Sequence, residues 1–249
     1  MKSQPVLQAT DIVKDLGHGA GKVRALKGVS LTVGPGQLTL LMGPSGSGKT
    51  TLLSILGCIL TPTSGSLTLG GEKADGLDPE ELAELRRRHI GFVFQTYNLF
   101  PTLTAEENVR LALDVRGNGR RSATHMARTA LTSVGLGHKL RSYPRNMSGG
   151  EQQRVAIARA LAGAPSLILA DEPTAALDSE NGQAVMVLLA DIAKRENRAV
   201  LAVTHDPRTL PYADRIVRIE DGVIVGEKRQ KVKPSGMSSV ANGKIGAHV

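Results

Sequence analysis

Aromatic side chains are scarce in this chain. Its 249 residues hold no Trp, three Tyr and three Phe, so 2% of positions are aromatic. None occurs before Phe92, which excludes an aromatic stacking platform for a base or ring anywhere in the first third. Cysteine is limited to Cys58, so an internal disulfide and cysteine-based zinc clusters are both excluded. The cysteine lies in an apolar, helix-like run and reads as a small buried side chain in a reducing compartment. Long apolar runs are missing too: none approaches the roughly 18 residues that span a bilayer, and the start, Met1 to Pro5, shows no apolar leader. The chain is therefore expected neither to cross a membrane nor to enter one unaided. Acidic excess is absent as well. A formal charge of +8 implies contact with an acidic partner, either phospholipid headgroups or nucleic acid.

With 41% hydrophobic residues the chain can fill a globular core. Its organising stretch is Gly43-Pro44-Ser45-Gly46-Ser47-Gly48-Lys49-Thr50, between an apolar run (38–42) and a helix-like segment (51–60). This is the strand, loop and helix context of a triphosphate cradle. Glycines at 43, 46 and 48 let backbone N–H groups converge, and the helix aims its positive end at the same point. Lys49 would reach the outer phosphates, Thr50 would ligate magnesium, and Thr51 opens the helix beside them.

Upstream, residues 6–10 and 29–33 read as short strands around a glycine-rich turn at 17–21. Any grip on a base there falls to Leu16 or His18. A strand at 65–69 precedes a helix capped by Asp78, with Pro79 at its first position, Glu80 and Glu81 in its first turn, and Arg86 to Arg88 in its last. The strand 90–95 ends at Gln95, and the loop beyond it carries Tyr97 and Phe100. Exposed aromatics in a loop mark a contact surface. Thr104 and Glu107 form a capping box, and a further helix is expected around 123–134.

Ser148-Gly149-Gly150-Glu151 opens a helix running to about residue 162. Ser148 and Glu151 again make a capping box. Two glycines in the first turn cost helix stability and gain only close approach of another group, so they read as a second anion site. The run 166–173 is an apolar strand of the kind buried in a parallel sheet, ending in Asp171 and Glu172. Adjacent carboxylates on a strand point opposite ways, which assigns Asp171 to magnesium and Glu172 to the attacking water. A loop with Asp178 precedes a helix from 180 to 195. Strand 199–203 delivers His205 to the edge where open α/β sheets bind ligands, whereas His18, His89, His125, His138 and His248 read as surface or structural. Residues 215–227 form a closing hairpin around Asp221-Gly222, and residues 229–249 read as a basic, poorly ordered tail.

These motifs, in this order, resemble the ATP-binding subunits of ABC transporters over about residues 5–228. The stretches 82–87, 90–95, 98–99 and 103–109 resemble the macrolide-export and lipoprotein-release type in particular. The resemblance implies an α/β fold: a P-loop NTPase core with a mostly parallel sheet, an N-terminal antiparallel β subdomain and an inserted helical subdomain at about 97–163. It implies ATP and Mg2+ as ligands and ATP hydrolysis driven by nucleotide-dependent dimerisation, in which ATP lies between the phosphate loop of one copy and Ser148, Gly149 and Gly150 of the other. Gln95 and Asp171 with Thr50 would serve the metal, Glu172 the water, His205 the γ-phosphate and Asp178 the link between sites. Partners would be a second copy, a separate membrane permease contacted near Tyr97 and Phe100, and a periplasmic adaptor in the export branch, with the subunit peripheral on the cytoplasmic face. Nucleic acid is not expected, because no heptads or internal repeat accompany the motifs. A role regulating a membrane partner without moving a solute is the alternative. Two departures stand out. Leu16 occupies the region where members place an aromatic against adenine, and Glu151 replaces the usual glutamine.

Overall fold

The computed structural model describes residues 4–17 and 19–230, so the expectations for His18, His248 and residues 231–249 of the tail lie outside the described residues. Two sheets form. The larger has six strands in the order β10-β9-β3-β8-β7-β6, built from β3 (Gln37–Met42), β6 (Ile90–Val93), β7 (Leu167–Asp171), β8 (Ala199–Val203), β9 (Arg215–Glu220) and β10 (Val223–Arg229). All are parallel to their neighbours except β10, which returns antiparallel to β9. The continuously apolar β7 and β8 are interior strands of this sheet, covered on both faces. Leu38, Leu40, Ile168, Ala170, Val200 and Ala202 face one core. Leu41, Leu167, Leu169, Leu201 and Val203 face the other, as the two-residue strand period requires.

The second sheet is antiparallel, in the order β2-β1-β4-β5, from β1 (Leu7–Leu16), β2 (Val23–Val33), β4 (Ser64–Leu69) and β5 (Glu72–Lys73). Its long hairpin exceeds the two short strands expected. Register shifts after Ala9, Ile12 and Lys14, and a left-handed Asp11 (φ 49), break the alternation that would have shown its full length.

Between the sheets lies α1 (Lys49–Leu56). It stops short of residue 60: the Phe92 ring fills the space where a Gly57 side chain would stand, and Cys58 turns left-handed at φ 54. Cys58 is thus in a turn rather than a helix, but buried as expected, and burial pushes its thiol up to about 11. Capping boxes on Asp78, Thr104 and Ser148 start α2 (Pro79–His89), α3 (Ala105–Asp114) and α5 (Gly149–Leu161) where the sequence placed them. With α4 (Arg120–Ser133), helices α3 and α5 pack as a bundle over β6, and α6 (Ser179–Arg195) is capped by Asp178. Arg229 completes β10 instead of starting the tail.

Candidate functional site

The C-terminal ends of β3, β7 and β8 converge on a cavity of about 880 Å³, within the range of small-molecule sites. Its lining includes Pro44, Ser45, Gly46, Gly48, Lys49, Thr50, Thr51, Gln95, Asp171, Glu172 and His205. The sequence scatters these over 160 positions, and parallel strands bring them to one edge. Gly43 and Ser47 stand behind the loop rather than on the cavity wall. Gly43 abuts the Ile219 carbonyl, and Ser47 is buried with its hydroxyl unpartnered.

Gly48 shows why the loop has this composition. Its φ of +96 is left-handed, and a Cβ there would lie 2.8 Å from the Ala25 carbonyl oxygen. The residue ends a loop that opens straight into α1, so the helix's free N–H groups face the cavity. Lys49 folds back to donate its Nζ to the carbonyls of Gly43 (2.9 Å) and Pro44 (2.6 Å). The buried ammonium is thereby held at the cavity floor, with no carboxylate within ion-pair distance among the described residues, which fits it to an anion.

The carboxylates depart from their expected opposition. β7 ends at Asp171, and Glu172 turns left-handed at φ 45, so both residues line the same cavity. Burial, with the neighbouring Glu172 charge, raises the Asp171 carboxyl above its ordinary value, and Lys49 opposes the rise. A cation would relieve that cost. Among the described residues there is no cluster of three or more His, Cys, Asp or Glu side chains able to hold a metal. Asp171, Thr50 and Gln95, which line the same cavity, are oxygen donors of the kind magnesium takes while keeping its other ligands from water and phosphate. His205 Nδ1 lies 2.7 Å from Glu172 Oε1. The carboxylate accepts from Nδ1–H and leaves Nε2 as the ring's other hydrogen-bonding atom.

Where a base would sit, Leu16 and Val23 face each other across the hairpin end. Both are exposed and line the cavity. Asp15 beside them is held down at about 2 by Arg24 first and Lys22 second.

Ser148, Gly149, Gly150 and Asp178 do not line this cavity. In one copy their glycines accommodate protein groups: a Gly149 Cβ would come 2.9 Å from the Tyr97 hydroxyl, and a Gly150 Cβ 2.3 Å from Asn181 Oδ1. Glu151 accepts from Ser148 N–H at 2.9 Å and pairs with Lys139 at 3.0 Å, so it points back along its own helix as expected. Asp178 caps α6 through Asn181.

The loop after Gln95 corrects one expectation. Phe100 is 52% exposed, but Tyr97 is half-buried and its hydroxyl donates to the Ala176 carbonyl at 3.4 Å. Tyr97 and Asn98 are both left-handed, and Arg159 donates to both of their carbonyls. Asn108, fully buried, accepts from Phe100 N–H and donates to Phe100, Leu103 and Thr104 carbonyls. Sequence reasoning missed Arg159, Asn108 and Gln153. Asn108 and Gln153, both polar on apolar helix faces, were the available signals.

A family profile described as ABC transporter matches residues 26–175. The chain is 45% identical over 225 residues to the macrolide export ATP-binding/permease protein MacB of Marinobacter nauticus, covering 90% of this chain and 35% of that protein. It is 44% identical over 221 residues to MacB of Escherichia coli K12, covering 89% and 34%. The chain thus spans about a third of the length of these curated relatives. Among solved structures, the dimeric ATP-binding cassette MJ0796, in a post-hydrolysis state bound to ADP and Pi, superposes with a TM-score of 0.81 at 40% identity, covering 90% of this chain and 98% of that one. CbiO1 from Clostridium perfringens, part of the ABC transporter complex cbiONQ, gives 0.82 at 26% identity, covering 91% and 89%.

Proposed function

Since the chain belongs to the ABC transporter family as an ATP-hydrolysing cassette, we propose that it powers export, or extraction of a lipid-linked cargo, through a membrane permease. The single observation carrying this is the incompleteness of the site. One copy gathers Lys49, Gln95, Asp171, Glu172 and His205 around the phosphate cavity, while the capped N-terminus of α5 at Ser148-Gly149-Gly150 stands outside it. Two copies placed head to tail would complete both sites, each nucleotide lying between one phosphate loop and the other copy's α5 N-terminus. The dimeric cassette MJ0796 supports this reading.

In such a site the loop N–H groups from Ser45 to Thr50 and the Lys49 ammonium hold the phosphates, and Lys49 leaves its two loop carbonyls to do so. Thr50, Gln95 and Asp171 would hold magnesium, which when bound neutralises charge on the phosphates. Glu172 orients the attacking water and takes up its proton. His205, held by Glu172 through Nδ1, presents Nε2 to the γ-phosphate. Asp178 links the two sites. Positioning and charge stabilisation supply most of the rate, as in phosphoryl transfer generally.

Phe100 is the side chain we assign to the permease contact, with Tyr97 setting the loop from within. No helix among the described residues is long and apolar enough to cross a membrane, and in this reading the Phe100 contact sits at the cytoplasmic face. A periplasmic adaptor would complete an export assembly. The test is Glu172→Gln with ATP and magnesium. A stable dimer with hydrolysis reduced at least about a hundredfold is expected, whereas hydrolysis at the native rate would remove Glu172 from its role.

A further inference from the structure

We propose that Gln153 is a positioning residue that carries the state of one composite site to the other, by tying the N-terminal turn of α5 to the Glu172 turn of the same copy. The proposal rests on the head-to-tail reading above. In that arrangement Ser148 to Gly150 of one copy serve the partner's nucleotide, while Glu172 of that copy serves its own. Any rigid connection between these two parts of one chain is a connection between two sites.

Gln153 is such a connection. It is completely buried, one helical turn beyond Gly149 and on the same stave of α5. Its Nε2 donates to the Pro173 carbonyl at 2.8 Å. Pro173 directly follows Glu172, whose left-handed backbone is strained for a residue with a Cβ and persists only where its surroundings fix it. Besides the His205 bond to the Glu172 side chain, three bonds to the backbone fix this turn. Glu172 N–H donates to the Val203 carbonyl at 2.9 Å, Ala175 N–H donates to the Glu172 carbonyl at 3.2 Å, and the third is the Gln153 amide. Only the third comes from α5. The helix start is keyed to the same region, with Gly149 against the Tyr97 hydroxyl and Gly150 against Asn181. A shift of α5 driven at Ser148 to Gly150 therefore reaches the catalytic turn within about one helical pitch, roughly 5.4 Å.

A second observation concerns the same side chain. The other amide atom, Gln153 Oε1, is buried with no donor among the described residues. An unmet buried acceptor is costly, so a displacement of α5 that brings a donor to it would be favoured, and it is this displacement that the proposal takes as the coupled motion.

The experiment uses the full chain carrying Gln153→Leu, with Gln153→Met as the unbranched variant of nearly equal length should the first fail to fold. Steady-state hydrolysis is titrated with ATP. The native chain should show a Hill coefficient approaching about 2, the number of sites. The variant should keep KM within about twofold while kcat falls about tenfold, equivalent to about 1.4 kcal/mol, with the Hill coefficient falling to about 1. Combined with Glu172→Gln, it should still dimerise with ATP. A native Hill coefficient of about 1, unchanged kcat in the variant, or a lower kcat with cooperativity retained would each overturn the proposal. Failure of Glu172→Gln with native Gln153 to dimerise would instead sink the head-to-tail reading beneath it.

Discussion

Asn108→Ala tests how the loop beyond Gln95 is held. The side chain accepts from Phe100 N–H at 2.7 Å and donates Nδ2 to the carbonyls of Phe100 (3.1 Å), Leu103 (3.0 Å) and Thr104 (3.0 Å). Nδ2 carries two hydrogens, so three acceptors share two donors and the substitution removes about three full bonds. Each contributes about 1 kcal/mol net or slightly more. The sum is roughly 3–4 kcal/mol. At about 2–4 °C per kcal/mol for a domain of this size, Tm should fall by roughly 6–16 °C. Because Asn108 does not line the phosphate cavity, nucleotide affinity measured in the same samples should change less than about twofold, while stimulation by a permease should be lost with the shape of the loop. Thermal unfolding with and without nucleotide checks both halves. A Tm within about 2 °C of native would refute the assignment of this loop's order to Asn108.

Other consequences follow from the same geometry. Asp171→Asn should raise the Tm of nucleotide-free protein near neutral pH while abolishing turnover. The raised carboxyl favours the protonated form in the folded state, so its contribution is full at low pH and lost as pH rises through the folded value; a lower Tm in the variant would contradict this. Asp15 has the opposite sign. Its contribution is present above 3.8 and lost as pH falls toward about 2, so an acid titration followed by hairpin resonances should show Arg24 released in that window and not near pH 6. With Leu16 and Val23 at the base end, GTP should compete with ATP within about tenfold, because an aliphatic surface reads no base edge. Strict ATP preference in a competition titration would count against that subsite.

What the sequence made legible was local. The phosphate loop, three helix caps, the apolar β7 and the Asp221-Gly222 turn each depend on neighbours a few residues away, and each stands where composition placed it. Features set across the fold were not legible. Glu172 shares a cavity with Asp171 because its backbone turns left-handed against Val203 of another strand. Tyr97 faces inward because Arg159, 62 residues later, claims its carbonyl. Helix α1 ends early because Phe92 arrives over Gly57. Residue order alone shows none of these approaches, although polar residues such as Asn108 and Gln153 on otherwise apolar helix faces hinted that something buried had to meet them.

The central claim is that two copies complete each other's sites, and cross-linking measures it directly. With Ser45→Cys and Ser148→Cys in one chain, a flexible bis-maleimide spacer should join two copies when ATP and magnesium are present under conditions that prevent hydrolysis. The native Cys58, buried with its thiol pushed up to about 11, stays unreactive near pH 7. A covalent dimer formed only with nucleotide is the predicted result; monomer at every nucleotide concentration, in protein that binds ATP, would contradict the account.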